Sequence, residues 1–273
     1  MRALETQLLN QTLLERVLDA ENADEAFRVL NEHPLLSDHI EDLKVDDYQK
    51  VFLAGLKNIQ RIIHEMAPHK EVMNFLWYKY DFHNLKVVLK ARLMEHGYAD
   101  IKHALIDAGL HSLENWEKVL FEGRSLDLIP GVAFAIKEAT ELYEKSKDPQ
   151  VVDLIVDQYY LDELNRLANE MESPLVLDYV SRLIDITNVR TFVRCKELKK
   201  DRAYFEKVIV NGGSVYPETF INAYDKGYDE LRVILEKRPH MADHVESLDS
   251  VKKEKSLLAL ETKILENLQN FMK

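Results

Sequence analysis

Apolar residues recur along this chain at intervals of three and four almost from end to end. Leu8, Leu9, Leu13, Val17 and Leu18 form the first such series. Ala26, Val29 and Leu30 form a second, which Pro34 interrupts because proline brings no amide hydrogen to a helix interior. Residues 47–63 predict a longer amphipathic helix with Val51, Leu56, Ile59 and Ile63 on its inner face. Another helix follows Pro68 through Val72, Phe75 and Leu76. Later breaks fall at Gly97, Gly109, Gly123, Pro130–Gly131, Asp148–Pro149, Ser173–Pro174, Gly212–Gly213, Pro217, Gly227 and Pro239, dividing the chain into about a dozen helices. No stretch sustains the alternation of a strand. Val208, Ile209 and Val210 are a short β-branched run inside a helical pattern. The pattern predicts an all-α fold.

Composition sharpens this picture. With 273 residues, 46% of them hydrophobic, the chain can build a sizeable core. Only 8 Gly and 7 Pro argue against a fold rich in tight turns. The formal charge of −12 disfavours nucleic acid, which needs clustered Lys and Arg against phosphates. A single cysteine, Cys195, cannot close an internal disulfide and fits a small buried hydrophobe in an intracellular chain. No run approaches the roughly 18 apolar residues of a membrane-spanning helix. The first residues carry Glu5, Glu15 and Arg16 at helical spacing and make no signal peptide. Any service to a membrane would be peripheral.

The informative feature is an internal repeat. Asp81 to Leu93, DFHNLKVVLKARL, matches the stretch from Asp185, DITNVRTFVRCKE, at a shift of 104 positions. Asp81 falls on Asp185, Asn84 on Asn188, Leu85 on Val189, Lys86 on Arg190 and Val88 on Phe192. The same shift carries Leu105 onto Ile209, Gly109 onto Gly213, Trp116 onto Phe220 and Gly123 onto Gly227. A weaker echo links Tyr48–Leu53, YQKVFL, with Trp116–Phe121, WEKVLF. Three related helical units follow, expected at residues 1–80, 81–184 and 185–273. A period this long suits successive small bundles rather than a thin solenoid.

Within the repeated D-x-x-N-[LV]-[KR] stretch, Asp81 and Asp185 are expected to cap a helix start, with Asn84 and Asn188 bonding near the first turn. Leu85, Val88 and Leu89 would face a core. Lys86, Lys90 and Arg92, like Arg190, Arg194 and Lys196, would point outward, toward an acidic partner or carboxylates of the same chain.

Candidate chemistry is sparse. The phosphate-cradling loop G-x-x-x-x-G-K-[ST] is absent, as are G-x-S-x-G, H-E-x-x-H and C-x-x-C. His240 and His244, beside Asp243, have metal-like spacing but no clear third ligand; two exposed surface histidines are the expectation. His83 is expected to pack or cap. Asp153 and Asp157, with Glu163 as a possible third charge, are expected on a solvated face. Trp77, Tyr78, Tyr80, Tyr159 and Tyr160 should gather where helices meet. No catalytic, cofactor or metal residue is assigned, and no small-molecule substrate is expected.

Trp77 to Leu93, WYKYDFHNLKVVLKARL, resembles a signature of the C/d-subunit family of archaeal, bacterial and vacuolar rotary ATPases. Arg182 to Leu198, RLIDITNVRTFVRCKEL, is similar to a second signature, and Arg2 to Leu9, RALETQLL, to the N-terminal helix. The resemblance implies three similar three-helix units in a funnel. It implies a non-catalytic central-stalk subunit on the cytoplasmic side of the membrane, linking the central shaft to the membrane rotor ring for proton or sodium transport. A third signature helix would be expected one repeat beyond Asp185, past Lys273, so the third unit is expected to be incomplete. The stripe Leu257, Leu258, Leu260, Ile264, Leu265, Leu268 and Phe271 is then expected to pack on a missing segment or a second chain. The residues alone leave open another class, a helical-repeat adaptor for cytosolic partners.

Overall fold

A computed structural model describes residues 9–37, 44–67, 74–122, 129 and 131–242, with positions 245, 248, 249, 262 and 263 beyond them. Among the described residues there is helix and connecting loop and no strand. The first helices are α1 (Gln11–Leu18), α2 (Ala23–Asn31), α3 (Pro34–Ser37) and α4 (Tyr48–Met66). Then come α5 (Tyr78–Leu93), α6 (Tyr98–Ile101), α7 (Leu113–Phe121), α8 (Val132–Ser146) and α9 (Gln150–Glu170). The last are α10 (Pro174–Glu197), α11 (Arg202–Val208), α12 (Pro217–Tyr224), α13 (Tyr228–Glu236) and α14 (Pro239–Ala242).

Helix starts follow local chemistry. The side chain of Asn10 accepts from the Leu13 amide at 2.8 Å, that of Asn22 from Glu25 at 2.9 Å, and that of Asp201 from Tyr204 at 2.8 Å. Each satisfies an amide that the helix itself leaves unpaired. Pro174 and Pro217 open α10 and α12, where proline's missing amide hydrogen costs nothing.

Two large apolar clusters hold most of the described chain. The first joins α5, α7, α8, α9 and the first half of α10 around Phe82, Leu85, Trp116, Ile155 and Ile184. Val132, Ala135 and Ala139 present small side chains on one face of α8, all fully buried in this cluster. The second joins the latter half of α10 to α11–α14. Its centre is aromatic: Phe192 meets Phe205 edge-on at 5.5 Å, and Phe205 stacks on Tyr224 at 4.4 Å. Cys195 belongs to this cluster and is buried, which pushes its thiol up to about 11.

The third cluster is small, comprising Phe27, Leu36 and Val51. Of the four residues expected on the inner face of α4, Val51 is buried but Ile59 is exposed. Leu18, the last member of the first apolar series, is 83% exposed. Periodicity identifies an apolar stripe without saying how much of it another element covers. The β-branched run also departs from expectation: α11 ends at Val208, and Ile209 and Val210 lie buried in a loop. The positions taken as unit starts, Asp81 and Asp185, fall inside the continuous helices α5 and α10. The C-terminal apolar stripe lies outside the described residues, as do His69, Pro130, Asp243 and His244.

Candidate functional site

The signature residues do not cap their own helices. Asp81 lies one turn into α5, and Asp185 lies midway along α10; both are fully buried. A carboxylate buried in apolar surroundings needs donors, and a distant loop supplies them. Asp81 accepts from the amides of Leu110 at 2.7 Å and His111 at 3.1 Å, with His111 Nδ1 at 3.3 Å. Asp185 accepts from the amides of Ser214 at 3.1 Å and Val215 at 3.0 Å. The Ser214 hydroxyl also donates to it, and His240 Nε2 lies 3.1 Å away.

The asparagines grip the same loops one turn further along. Asn84 donates to the Ile106 carbonyl at 2.8 Å and accepts from the Ile106 amide at 2.9 Å. Asn188 does the same to Val210, again at 2.8 and 2.9 Å. One side-chain amide thus satisfies both polar groups of one loop residue, as a neighbouring strand would. The glycines of the repeat make this approach possible. A Cβ on Gly109 would sit 2.5 Å from Asp81 Oδ1, and one on Gly213 would sit 2.2 Å from Asp185 Oδ1. Each copy is therefore a latch: Asp and Asn on a helix, a loop drawn onto them, and a glycine that leaves room.

The basic positions have a different setting. Lys86 pairs with Asp157 at 2.7 Å and Lys90 with Asp153 at 2.6 Å, tying α5 to α9 across a half-buried interface. Asp153 and Asp157 are therefore ion-pair partners rather than a free acidic face. Glu163 is buried and pairs with Arg166 of its own helix at 2.6 Å, so it does not extend that acid pair. Lys86 and Arg190 both line a cleft of about 550 Å³ along α9. Its walls are corresponding faces of two helices: Phe82, His83 and Lys86 from α5, and Ile186, Thr187 and Arg190 from α10. Lys79, Lys86, Arg190 and Arg194 bring four fixed cations to it, against the carboxylates of Asp153 and Asp157. On a chain of net charge −12 this is a local cationic excess, suited to attracting a carboxylate-bearing surface.

The other candidates settle into structural contacts. His83 Nε2 lies 3.0 Å from the Ala104 carbonyl. His240 is turned inward onto Asp185, not displayed on a surface helix as expected. Trp77 stacks on Tyr80 at 6.4 Å, and Tyr160 meets Phe82 at 5.4 Å between α9 and α5. Burial raises the Tyr160 phenol well above its ordinary range. Tyr159 donates to Glu138 on α8 at 2.9 Å; burial first, then that bond, raises it to about 12. Among the described residues no group of three His, Cys, Asp or Glu could hold a metal ion, and no helix is long and apolar enough to cross a membrane.

The sequence profile of the ATP synthase (C/AC39) subunit family matches residues 1–273. The chain belongs to that family. Two curated relatives are similar to it. The C subunit of the V-type sodium ATPase of Enterococcus hirae is 25% identical over 222 residues, covering 81% of this chain and 66% of that protein. The C subunit of the A-type ATP synthase of Methanobrevibacter smithii is 25% identical over 209 residues, covering 72% of this chain and 53% of that protein. The matched part of this C/AC39 chain thus spans just under two thirds of one relative's length and about half of the other's.

Proposed function

We propose that this chain is a non-catalytic central-stalk subunit of a V/A-type rotary ATPase, a peripheral part on the cytoplasmic side that links the central shaft to the membrane rotor ring. The observation that carries this reading is the family match over the whole chain. The names of the two relatives, C subunits of a V-type sodium ATPase and of an A-type ATP synthase, agree with it. The physical character of the molecule supports it further. A part that transmits torque must not deform between its two attachments. Interiors packed like organic crystals transmit strain, and the two latches fasten loops that would otherwise be the soft points. The cationic cleft along α9 suits a partner that presents carboxylates, and such steering raises the rate and selectivity of docking more than its final strength.

Sedimentation velocity of the full chain mixed with purified central-shaft subunits of a V/A-type ATPase tests the role. A faster-moving stoichiometric complex, weakened by Arg190→Glu or by added salt, is the expected result. No complex at tens of micromolar, roughly the range of a weak specific contact, would contradict it and favour the adaptor class.

A further inference from the structure

The cleft along α9 has matching walls. Helix α5 runs antiparallel to α9, since Lys86 meets Asp157 and Lys90 meets Asp153. Helix α10 returns along α9 after a short link, so α5 and α10 run the same way. Each wall then carries an apolar residue and, one turn further on, a cation: Phe82 and Lys86 on α5, Ile186 and Arg190 on α10. These are counterparts at the shift of 104. The two cations differ in one respect. Lys86 is neutralised by Asp157 at 2.7 Å. Arg190, half-buried on the opposite wall, forms an ion pair with no carboxylate among the described residues. Its planar fork of donors matches a carboxylate, and partial withdrawal from water strengthens such a pair.

We propose that Arg190 is the anchor of the cleft and that the partner element it receives is an acidic amphipathic helix. That helix lies lengthwise over α9. It sets a carboxylate on Arg190 and, one turn away, an apolar side chain between Phe82 and Ile186. The inference rests on the rotor reading and narrows it, from a partner that presents carboxylates to one anchoring residue and one kind of partner element. Charge selects an acid, because the unmatched group is a cation. The walls select a helix. They are themselves helices, whose backbone groups are already paired, so an extended segment pressed between them would bury amides without partners. A helix satisfies its own backbone and presents residues four apart on one face, the spacing that both walls use.

The test uses the full chain with purified central-shaft subunits of a V/A-type ATPase. Arg190→Gln should weaken the complex by at least about ten-fold while leaving the unfolding midpoint where it is in the parent. Lys86→Gln should instead lower the midpoint, because its pair with Asp157 holds α5 to α9. Arg190→Lys supplies an amine in place of the guanidinium. A carbodiimide, which joins an amine to a carboxylate, should then link position 190 to the partner, and peptide mapping should find the linked acid on a helix with an apolar residue three or four positions away. A complex that forms but is indifferent to Arg190→Gln would overturn the inference and leave the rotor reading standing. So would a link to a loop or to a second copy of this chain, or a loss of binding matched by a fall in the midpoint. If the parent chain forms no complex, the rotor reading fails and this inference fails with it.

Discussion

The two latches are the same device with different surroundings, and the contrast separates what the device needs from what it tolerates. Both place a buried Asp and a buried Asn one turn apart on a helix, and both meet a loop whose glycine has no room for a Cβ. The asparagine contacts agree to the first decimal in both copies. The aspartate contacts differ. Asp81 is met by two amides and a His111 ring nitrogen from the same loop. Asp185 is met by two amides, the Ser214 hydroxyl and His240, which arrives from a separate helix. The loop backbone is the constant partner, and the side-chain donors vary. The second latch also fastens α14 to α10, a tie for which the first has no counterpart of the same sequence position.

This contrast can be broken in graded steps. The largest effect should come from Asp185→Ala, which strands two loop amides and the donors on Ser214 and His240; a loss of about 3 kcal/mol or more is expected from buried donors left unpaired. Asp81→Ala should cost roughly 1 kcal/mol less, because fewer donors lose their acceptor. Urea unfolding of the two variants measures the difference, and a larger loss at Asp81 would reverse the ranking. Next come the glycines. Gly213→Ala and Gly109→Ala should each destabilise by ~1–3 kcal/mol through overpacking. Gly213 should be the worse because its added carbon would come closer to the carboxylate, 2.2 against 2.5 Å. Thermal unfolding monitored by circular dichroism would show the order.

Asn84→Ala and Asn188→Ala should each cost about 1–2 kcal/mol and should differ from one another by less than about 0.5 kcal/mol, since each removes one donor and one acceptor from a single loop residue. A large difference would mean that the asparagines are not equivalent. The smallest effect is electrostatic. Asp148 pairs with Lys200 at 2.9 Å across the two repeat copies. Burial pushes its carboxyl upward, but the bonds from Lys200 and the Gln150 amide outweigh this and hold it below its ordinary value of 3.8. A carboxyl lowered in the folded state stabilises above its unfolded value, and that contribution disappears as pH falls through the folded one. Lys200→Met should therefore lower stability at neutral pH, by about 1 kcal/mol or less for a single ion pair that solvent still reaches. Once the pH falls below that lowered folded value, the variant and the parent should converge. A pH-independent gap would assign the effect to packing instead.

The helical architecture was legible because a period of 3.6 survives in any window long enough to count. The repeat was legible because its copies align without a gap across both signature helices and their loops. The role of its residues was not. D-x-x-N resembles a local capping pattern, and only the loop lying 22 to 30 positions downstream reveals where the bonds go. One clue was present: Gly109 and Gly213 keep the same distance from Asp81 and Asp185. A glycine held at fixed separation from a buried acid is what a close approach requires, but sequence alone does not tell it from a turn. In α4 the opposite occurred. Its stripe was plain, yet of Val51, Leu56, Ile59 and Ile63 only Val51 is buried and Ile59 is exposed, since periodicity does not name the covering element.

Amide hydrogen exchange at the six latch positions tests the central claim most directly. If the Asp and Asn side chains hold the loops, the amides of Ile106, Leu110 and His111, and of Val210, Ser214 and Val215, should exchange as slowly as those in the middle of α5 and α10, although all six lie outside long helices. Protection at Ile106 and Val210 should vanish in Asn84→Ala and Asn188→Ala, each in its own copy alone. Exchange at ordinary loop rates in the parent chain would contradict the latches and return the signature to a local helix motif.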